Sequence, residues 1–381
     1  MRILIASNSA WNIANFRAGL IQAMIHSGYQ VDAAAPPDEH VTRVEKLGCR
    51  FHPLPIDNNG TNPFKDLLLT LRFIRLFFLL KSDVYLGYTI KPNIYGSLAA
   101  HILRIPVINN IAGLGTVFNK PNWLQMLVKK LYHLSITKSR KVFFQNKSNL
   151  TLFVQNGLVK SALTDRLPGS GVNLSEFSVV PLPEREAPFR FLLVARMLWE
   201  KGVGEFVEAA RILKPKYPDV EFCLLGFLDV KNPSAISQSQ MNAWVAEGVV
   251  CYLGATSDVR PYISDADCCV LPSFYPEGTP RSLLEAAAIG RPIITTNSAG
   301  CRDVVDDGVN GYLCKMQDVP DLVKKMEQMM QLPLCDRARM GHKGREKVER
   351  EFDEKIVIDK YLDVLKSLSH ISGISACNVA E

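Results

Sequence analysis

Two glutamates eight positions apart, Glu277 and Glu285, are the side chains of this 381-residue chain whose types and spacing most directly indicate chemistry. A turn signal, Gly278-Thr279-Pro280, lies between them, and a helical apolar pattern follows. We expect Thr279 to cap this helix and Pro280 to be its first residue. Free N–H groups at a helix start attract anions such as a diphosphate, and nearby carboxylates commonly accept hydrogen bonds from sugar or ribose hydroxyls. By itself, a pair at this spacing is more often two surface glutamates.

Arg196 and Lys201 form a second charged pair, which follows an apolar run and precedes Gly202. A planar guanidinium with five donors beside a mobile ammonium suits a diphosphate. Alone, an arginine and a lysine in this position are more often solvated charges. However, ligands of parallel α/β sheets bind beyond the carboxyl ends of the strands, and both charged pairs follow strand-like runs. The sequence therefore makes all four side chains candidates for one site.

Apolar runs that alternate with helical patterns predict two parallel α/β domains, and the chain length suits two. The opening strands are predicted at residues 2–7 and 190–196. A proline-rich stretch without periodicity, 178–188, is the predicted connection between the domains, and 337–369 is predicted to be helical. Further strands are predicted at 30–35, 84–87, 106–109, 141–145, 220–226, 249–254, 266–271 and 292–295.

The composition is typical of a globular protein, with 47% hydrophobic and 22% charged residues. The nine cysteines form no C-x-x-C pair and lie mostly in apolar runs, which favours buried thiols in a reducing cytoplasm over disulfides or a zinc site. The apolar run at the N-terminus is short and is interpreted as a first strand, not a signal peptide. No G-x-G-x-x-G follows either opening strand, which excludes a nicotinamide-dependent dehydrogenase.

Charge is divided unequally along the chain. Residues 1–180 carry 20 Lys and Arg against 9 Asp and Glu, whereas the remainder carries 24 against 29, so the net charges are +11 and −5. Such a surplus suits nucleic acid or an anionic membrane. The aromatic, apolar and cation-bearing segments 64–81 and 123–134 favour a membrane surface, although they are too charged to span a bilayer and most such helices simply pack on a sheet. A nucleic-acid binder is disfavoured because no recognition motif is present.

The run from residue 273 to residue 296 resembles the E-x7-E signature of retaining family 4 glycosyltransferases, including its E-G-x-P core and its glycine-arginine-proline-isoleucine continuation. Three other segments resemble motifs of that family and occur in its order. Residues 194–202 resemble its arginine-lysine pair, 303–313 its loop and strand after the E-x7-E helix, and 169–177 its G-V-D-x-x-x-F segment, with Asn173 in place of the aspartate.

This resemblance implies a glycosyltransferase-B (GT-B) fold, in which two Rossmann-like domains face each other across a cleft and a C-terminal helix crosses back to the first domain. The expected parts are an acceptor- and membrane-facing domain at 1–178, a nucleotide-sugar-binding domain at 189–352 and the returning helix at 353–369. By the same resemblance, Arg196 and Lys201 neutralise the leaving diphosphate, Glu285 binds the ribose and Glu277 contacts the transferred sugar. Backbone N–H groups near Gly278 and Thr279 support the sugar or the distal phosphate. No metal is expected.

The first half departs from the family pattern in two places. Its first loop is not glycine-rich, and Asn15 and Arg17 are candidates there for contact with a phosphate or the acceptor. The family's sugar-contacting histidine is also missing, because the nearest one, His101, lies in an apolar helical pattern and is expected to be a packing residue. The candidates for the vacant role are Lys91, Asn93 and Asn110.

Residues 87–96 and 109–118, the stretches that hold these last candidates, resemble bacterial enzymes that extend undecaprenyl-diphosphate-linked saccharides for O-antigens, capsules or glycans. The implied donor is a UDP-linked hexose or N-acetylhexosamine, with N-acetylgalactosamine as the best choice, and the implied product has an α linkage. We expect a cytoplasmic protein bound peripherally to the inner face of the membrane, with no nucleic-acid partner. Two alternatives remain open, a sugar-nucleotide epimerase of the same fold and a non-catalytic nucleotide-sugar-binding protein at the membrane.

Overall fold

Each half of the chain is built on its own parallel sheet, as the alternating apolar and helical patterns predict. The computed structural model describes residues 1–57, 62–113, 123–184, 188–228, 232–275 and 278–371. The chain divides into a first unit, Met1–Ser170 with Glu354–Glu381, and a second unit, Gly171–Asp353. The predicted return of the C-terminal helix to the first unit is therefore confirmed.

The sheet of the first unit has seven strands in the order β3-β2-β1-β4-β5-β6-β7, all paired in parallel. Central strands such as β4 and β5 are buried along their whole length. The edge strands β3 and β7 are short and only partly buried. The strands are β1 Arg2–Ala6, β2 Gln30–Ala35, β3 Arg50–Pro53, β4 Val84–Tyr88, β5 Val107–Ile111, β6 Lys141–Phe144 and β7 Thr164–Arg166.

Helices cover both faces of this sheet, because alternate strand residues point to opposite faces. Ile3 and Ile5 pack with α1, α2, α3 and α15, whereas Leu4 and Ala6 pack with α4 and α5. Helix α6 packs on the same side as α5, over β5 and β6. The helices are α1 Ala10–Phe16, α2 Ala18–His26, α3 Val41–Glu45, α4 Pro63–Leu80, α5 Ser97–Ile102, α6 Trp123–Ile136, α7 Lys147–Gln155 and α15 Glu354–Ile371, with a π-helical turn at Pro92–Gly96.

The sheet of the second unit has six parallel strands in the order β10-β9-β8-β11-β12-β13. Its strands are β8 Arg190–Val194, β9 Glu221–Leu225, β10 Cys251–Tyr252, β11 Cys268–Leu271, β12 Ile293–Thr296 and β13 Gly311–Cys314. Its helices are α8 Val203–Leu213, α9 Gln238–Ala246, α10 Arg260–Ser264, α11 Arg281–Ile289, α12 Cys301–Val304, α13 Val319–Gln331 and α14 Leu334–Glu351.

The first unit ends at Ser170 rather than at residue 178 as expected. The proline-rich connection is bonded to the second unit, because the buried guanidinium of Arg291 donates from Nη2 to the carbonyl oxygens of Val180 and Pro181, at 2.8 and 2.9 Å. Its Nε donates to the Ile263 carbonyl oxygen, 3.1 Å away. The residues around Val180 therefore belong to the second unit.

Replacing Arg291 with alanine is expected to lower the unfolding free energy of the second unit by about 3 kcal/mol, because three carbonyl oxygens lose a charged donor inside the protein. Urea unfolding followed by circular dichroism would measure the change. The exposed Arg302 provides a matched control, and Arg302→Ala is expected to shift the unfolding free energy by about 0.5 kcal/mol or less. Equal effects of the two substitutions would contradict the role given to Arg291.

Candidate functional site

The loops that follow β8 and β11 are bonded to each other in the second unit. The Glu200 carbonyl oxygen accepts hydrogen bonds from the backbone N–H groups of Phe274 and Tyr275, at 2.9 and 3.0 Å, and from Ser273 Oγ at 3.1 Å. Strands β8 and β11 are parallel neighbours in the sheet, so both loops leave the sheet at the carboxyl-terminal ends of its strands. The arginine-lysine segment and the segment leading to the E-x7-E helix are thus parts of one substructure.

Gly202 makes this close approach of the two loops possible. Its φ of +78° lies in the left-handed region, and a Cβ at this position would lie 2.2 Å from the Pro272 carbonyl oxygen. The preceding Lys201 places its ammonium 5.3 Å from the centroid of the Tyr275 ring, within the range of a cation–π contact. Arg196, on the same loop, is exposed. Lys201 is therefore carried next to the segment that precedes α11, and Arg196 follows the same strand.

Helix α11 begins at Arg281, with Pro280 as its N-cap, so the expectation that Thr279 caps it and Pro280 is its first residue was wrong by one position. The reason is the extended ψ of 119° at Pro280, since the proline ring fixes φ and leaves ψ free. Gly278 and Thr279 are both buried directly before this helix start. Glu277, the candidate sugar contact, lies outside the described residues.

Glu285 is paired with Arg281 on the first turns of α11. Arg281 Nε lies 2.8 Å from Glu285 Oε1, and the two side chains are only 20% and 13% exposed. Burial raises the pKa of Glu285, and the nearby Asp258 adds to the rise, whereas the guanidinium of Arg281 opposes it. A cation in the first turn opposes the helix dipole, and arginine before glutamate is the weaker order for an i,i+4 pair. The position of Arg281 is therefore explained by its contact with Glu285 rather than by helix stability.

Five of the six donor-site candidates thus follow β8 or β11 at the carboxyl-terminal end of the second sheet: Arg196, Lys201, Gly278, Thr279 and Glu285. This end of the sheet carries two cations, a helix start and a partly desolvated carboxylate. Such a set can bind a diphosphate through the cations and the N–H groups, and hydroxyls through the carboxylate. Sequence reasoning missed Arg281, although its spacing of four from Glu285 was a visible signal.

The candidates in the first unit lie near the carboxyl ends of β1, β4 and β5. Arg17 is only 4% exposed, and its guanidinium carbon lies 4.1 Å from the centroid of the Tyr88 ring, at the end of β4. Asn15 donates from Nδ2 to the Trp11 carbonyl oxygen at 3.0 Å. In this structure, Arg17 is therefore a buried cation stacked on an aromatic ring, and Asn15 bonds within its own helix.

Lys91 makes an ion pair with a carboxylate of α4. Its Nζ lies 2.7 Å from Oδ1 of the buried Asp66, and the Tyr95 hydroxyl donates to Asp66 Oδ2 at 2.8 Å. Burial and this carboxylate raise the pKa of Tyr95. Lys91, a candidate for sugar contact, is thus engaged with Asp66 and connects the segment after β4 to the first turn of α4.

Asn93 and Asn110 belong to a buried network of amides. Asn93 Nδ2 donates to the Asn110 carbonyl oxygen at 2.8 Å, and Asn109 Nδ2 donates to Asn93 Oδ1 at 2.9 Å. Asn110 Nδ2 lies 3.0 Å from the hydroxyl oxygen of Tyr361, which α15 brings to the sheet. No sequence signal pointed to Tyr361.

His101 is a packing residue, as expected. Its Nε2 lies 2.7 Å from the Ser135 carbonyl oxygen on α6, and burial lowers its pKa. Across the described ranges, no group of three or more His, Cys, Asp or Glu side chains is arranged to hold a metal ion. No helix in these ranges is long and apolar enough to cross a membrane.

Two family models match this chain. The model described as glycosyl transferases group 1 matches residues 176–347, and the model described as glycosyl transferase 4-like matches residues 2–146. The chain belongs to the family 4 glycosyltransferases. The expectation drawn from the E-x7-E and arginine-lysine segments is therefore confirmed at the level of the family, and the enzyme class is glycosyltransferase.

Two curated relatives of this glycosyltransferase cover most of its length. One is the N,N'-diacetylbacillosaminyl-diphospho-undecaprenol alpha-1,3-N-acetylgalactosaminyltransferase of Campylobacter jejuni, 29% identical over 95% of this chain and 97% of the relative. Another is the UDP-Gal:alpha-D-GlcNAc-diphosphoundecaprenol alpha-1,3-galactosyltransferase of Escherichia coli, 23% identical over 79% of each chain.

Solved structures of low sequence identity share the fold. Anabaena HepE in complex with UDP-glucose has a TM-score of 0.80 at 17% identity and covers 96% of this chain and 100% of that chain. Sucrose-phosphate synthase from Thermosynechococcus elongatus has a TM-score of 0.76 at 18% identity, with 97% and 100% covered. Together with the two parallel sheets, these similarities confirm the GT-B fold.

Replacing Gly202 with alanine tests the contact between the two loops. The alanine Cβ would meet the Pro272 carbonyl oxygen, and the alanine backbone would have to adopt a left-handed conformation. We therefore expect the unfolding free energy to fall by about 3 kcal/mol or more, and nucleotide binding to be lost with the loop geometry. Gly248 is the matched control, because its φ is +72° but no heavy atom lies within 4 Å of the position that a Cβ would take. Gly248→Ala therefore isolates the backbone strain, about 1 kcal/mol. Thermal unfolding of both variants measures the difference, and equal losses would contradict the proposed contact.

Proposed function

We propose that this enzyme transfers a hexose or N-acetylhexosamine, with N-acetylgalactosamine as the best choice, from a UDP-sugar to an undecaprenyl-diphosphate-linked saccharide. The product linkage is α, with retention at the anomeric carbon, and no metal is required. The observation that carries this proposal is the cluster of Arg196, Lys201, the start of α11 and Glu285 at neighbouring strand ends of the second unit. The names of the two relatives, both of which act on undecaprenol-diphosphate-linked saccharides, support the acceptor class.

The residues of this site act mainly through charge. Arg196 and Lys201 bind the donor diphosphate and neutralise the charge that grows on it as the glycosidic bond breaks, which is a stabilisation realised most strongly in the transition state. The N–H groups at Gly278 and Thr279 support the sugar or the distal phosphate. Glu285 accepts hydrogen bonds from the ribose hydroxyls. In the first unit, Arg17 and the segment that carries Lys91 and Asn93 are the acceptor-side candidates.

Retention follows if the acceptor hydroxyl attacks from the face that the diphosphate leaves. The acceptor proton then passes to an oxygen of the leaving β-phosphate, so the new glycosidic bond forms while the sugar–phosphate bond breaks and the proton leaves with UDP. Glu277 contacts the hydroxyls of the transferred sugar in this scheme. The scheme assigns no side-chain base, because none is evident in the sequence at the expected place.

A panel of UDP-sugars tests this proposal. Each donor would be incubated with a synthetic polyprenyl-diphosphate N-acetylhexosamine, with and without a chelator, and the products examined by mass spectrometry and anomeric proton couplings. We expect one added sugar in α linkage and an equal rate with the chelator. A changed UDP-sugar without acceptor would favour the epimerase alternative, and donor binding without turnover on any acceptor would favour the non-catalytic one.

Substitution of the two cations tests their role in the reaction. Arg196→Ala and Lys201→Ala are each expected to lower kcat/KM by about a hundredfold or more while the thermal unfolding temperature stays within a few degrees. The exposed Lys216 of the same unit is a control, and Lys216→Ala is expected to leave kcat/KM unchanged. Full activity of both variants in the cation pair would contradict the site assignment.

The pH dependence of UDP binding tests the pair of Arg281 and Glu285. Glu285 must be ionised to accept two hydroxyl hydrogen bonds, and burial raises its pKa, so affinity is full above that pKa and falls as the pH drops through it. Arg281→Gln removes the main opposing cause, and the fall then begins at a higher pH. If the substitution raises the pKa of Glu285 by one unit, the affinity for UDP is about tenfold lower than in the wild type at a pH below both pKa values.

Calorimetric titration with UDP from pH 5 to pH 8 would measure this shift. Glu285→Gln is the reference variant, since its weaker binding should change over this range only through the ionisation of UDP itself. If Arg281→Gln weakened UDP binding by the same factor at every pH, Arg281 would be a phosphate ligand and not the partner that keeps Glu285 ionised.

A further inference from the structure

One face of the first unit exposes an unusual amount of apolar side chain. Every large apolar side chain that is exposed in the described part of this unit lies on α4, α5 or α6, which cover the same side of the sheet. We call these residues the apolar face. They are Phe64, Leu67, Leu68, Leu71, Phe78, Leu79, Ile102, Met126, Leu127 and Leu134.

The opposite side of the same sheet is different. Helices α1, α2, α3 and α15 expose no large apolar side chain within the described ranges. These helices carry four Lys and Arg and four Asp and Glu, so their net charge is zero, whereas α4, α5 and α6 carry five Lys and Arg and one Asp, so their net charge is +4. Apolar exposure and positive charge therefore coincide on one side of the unit.

Helix α4 has two apolar faces. Leu69, Phe73 and Phe77 are buried against the sheet, as in an ordinary amphipathic helix. Leu71 and Phe78 point the other way, and Phe78 is 66% exposed. An ordinary surface helix would have polar residues at these positions, so the second apolar face of α4 is not explained by packing within this unit.

The charges on α4 are sorted by face. The single acid, Asp66, is buried and paired with Lys91 and Tyr95, so it is removed from the surface. Arg75 is exposed among the leucines and phenylalanines. Lys65 is exposed near the N-terminal end, where its Nζ lies 2.9 Å from Oδ2 of Asp57, which precedes the helix. Among the residues of α4 itself, the exposed side thus combines apolar side chains with cations.

We infer that α4, supported by α5 and α6, docks on an anionic membrane surface and lies in its plane, with Leu71, Phe78 and their neighbours inserted among the acyl chains. Cations interspersed with apolar residues suit phosphate headgroups above an acyl boundary, which is the composition expected of an interfacial helix. A contact with a second copy of this face is disfavoured, because it would bring the cations of α4 and α6 against each other. The helix is not apolar enough to span the membrane.

This docking deepens the proposed function, on which the following step rests. The ion pair between Asp66 and Lys91 and the hydrogen bond from Tyr95 tie the first turn of α4 to the segment that follows β4. That segment carries acceptor-side candidates. A helix fixed at the headgroup level therefore holds this segment at a fixed height above the membrane, where the diphosphate of a polyprenyl-linked saccharide lies.

Vesicle co-sedimentation of the full-length protein tests the docking. We expect binding to phosphatidylcholine vesicles that contain phosphatidylglycerol, little binding to phosphatidylcholine alone, and weaker binding as the salt concentration rises. Leu71→Asp and Phe78→Asp are each expected to lower the partition coefficient by about tenfold, and Arg75→Glu by a similar factor. All three side chains are exposed on α4, so the thermal unfolding temperature should not change.

Two matched controls lie away from the apolar face. Ile212→Asp changes an exposed apolar residue of α8 in the second unit, and Lys366→Glu reverses an exposed charge on α15, on the opposite side of the first sheet. Both variants are expected to bind vesicles like the wild type. Equal vesicle binding by Leu71→Asp, or equal binding of the wild type to neutral and anionic vesicles, would overturn the inference. Sedimentation velocity without lipid tests the other occupant of this face. A dimer of the wild type that Leu71→Asp dissociates would overturn the inference in favour of a second copy of the chain.

Turnover on two forms of one acceptor separates this inference from the proposed function. Leu71→Asp is expected to retain kcat/KM on a short-chain, water-soluble prenyl-diphosphate saccharide and to lose about tenfold on the same saccharide on a long prenyl chain embedded in vesicles. Loss of activity on both forms would contradict a role confined to docking. No turnover by the wild type on either form would count against the proposed function, and the vesicle-binding result would still decide the docking.

Discussion

The geometry of the candidate donor site depends on the backbone contacts between the loop after β8 and the loop after β11. Gly202 adopts the left-handed conformation and, because it has no side chain, lies against the Pro272 carbonyl. The Glu200 carbonyl oxygen accepts hydrogen bonds from N–H groups of the opposite loop. This arrangement fixes two irregular segments mainly through backbone atoms, to which Ser273 Oγ adds one side-chain hydrogen bond. The side chains of Lys201 and Arg196 can then change position without loss of the loop geometry, which suits groups that must adjust to a diphosphate.

The two units use their polar residues in different ways. In the second unit, the partly buried Glu285 is paired with a cation and remains partly accessible. In the first unit, most polar residues near the strand ends are bonded to each other. Asn93 and Asn110 lie in a network with no exposed member, and Lys91 faces Asp66. A satisfied buried network fixes a unique local conformation, because breaking any bond would leave an unpaired group away from water. The network therefore shapes the backbone after β4 and β5, whatever else its members contact.

Much of this molecule could be predicted from the sequence, and the exceptions have physical causes. The buried central strands were predicted because continuous apolar runs specify them, whereas the edge strands β3 and β7 were missed because they are short, polar and half exposed. The start of α11 was misplaced by one residue because the proline ring fixes φ at a value that fits both positions and leaves ψ, which decides between them, free. The partners of Lys91 and Asn93 lie 25 and 17 residues away in the chain, and no local pattern indicates such contacts.

The same limit explains why α4 was ambiguous. Its sequence places large apolar residues on every side of the helix, and a periodic pattern cannot tell which of two apolar faces is turned inward. The buried position of Asp66 resolves the ambiguity. A carboxylate with a lysine and a tyrosine as partners is stable inside the protein only on the face that reaches them, and this face also carries Leu69 and Phe73. The single acid of α4 thus fixes the rotation of the helix about its axis, and this rotation turns the remaining leucines and phenylalanines outward, together with Arg75.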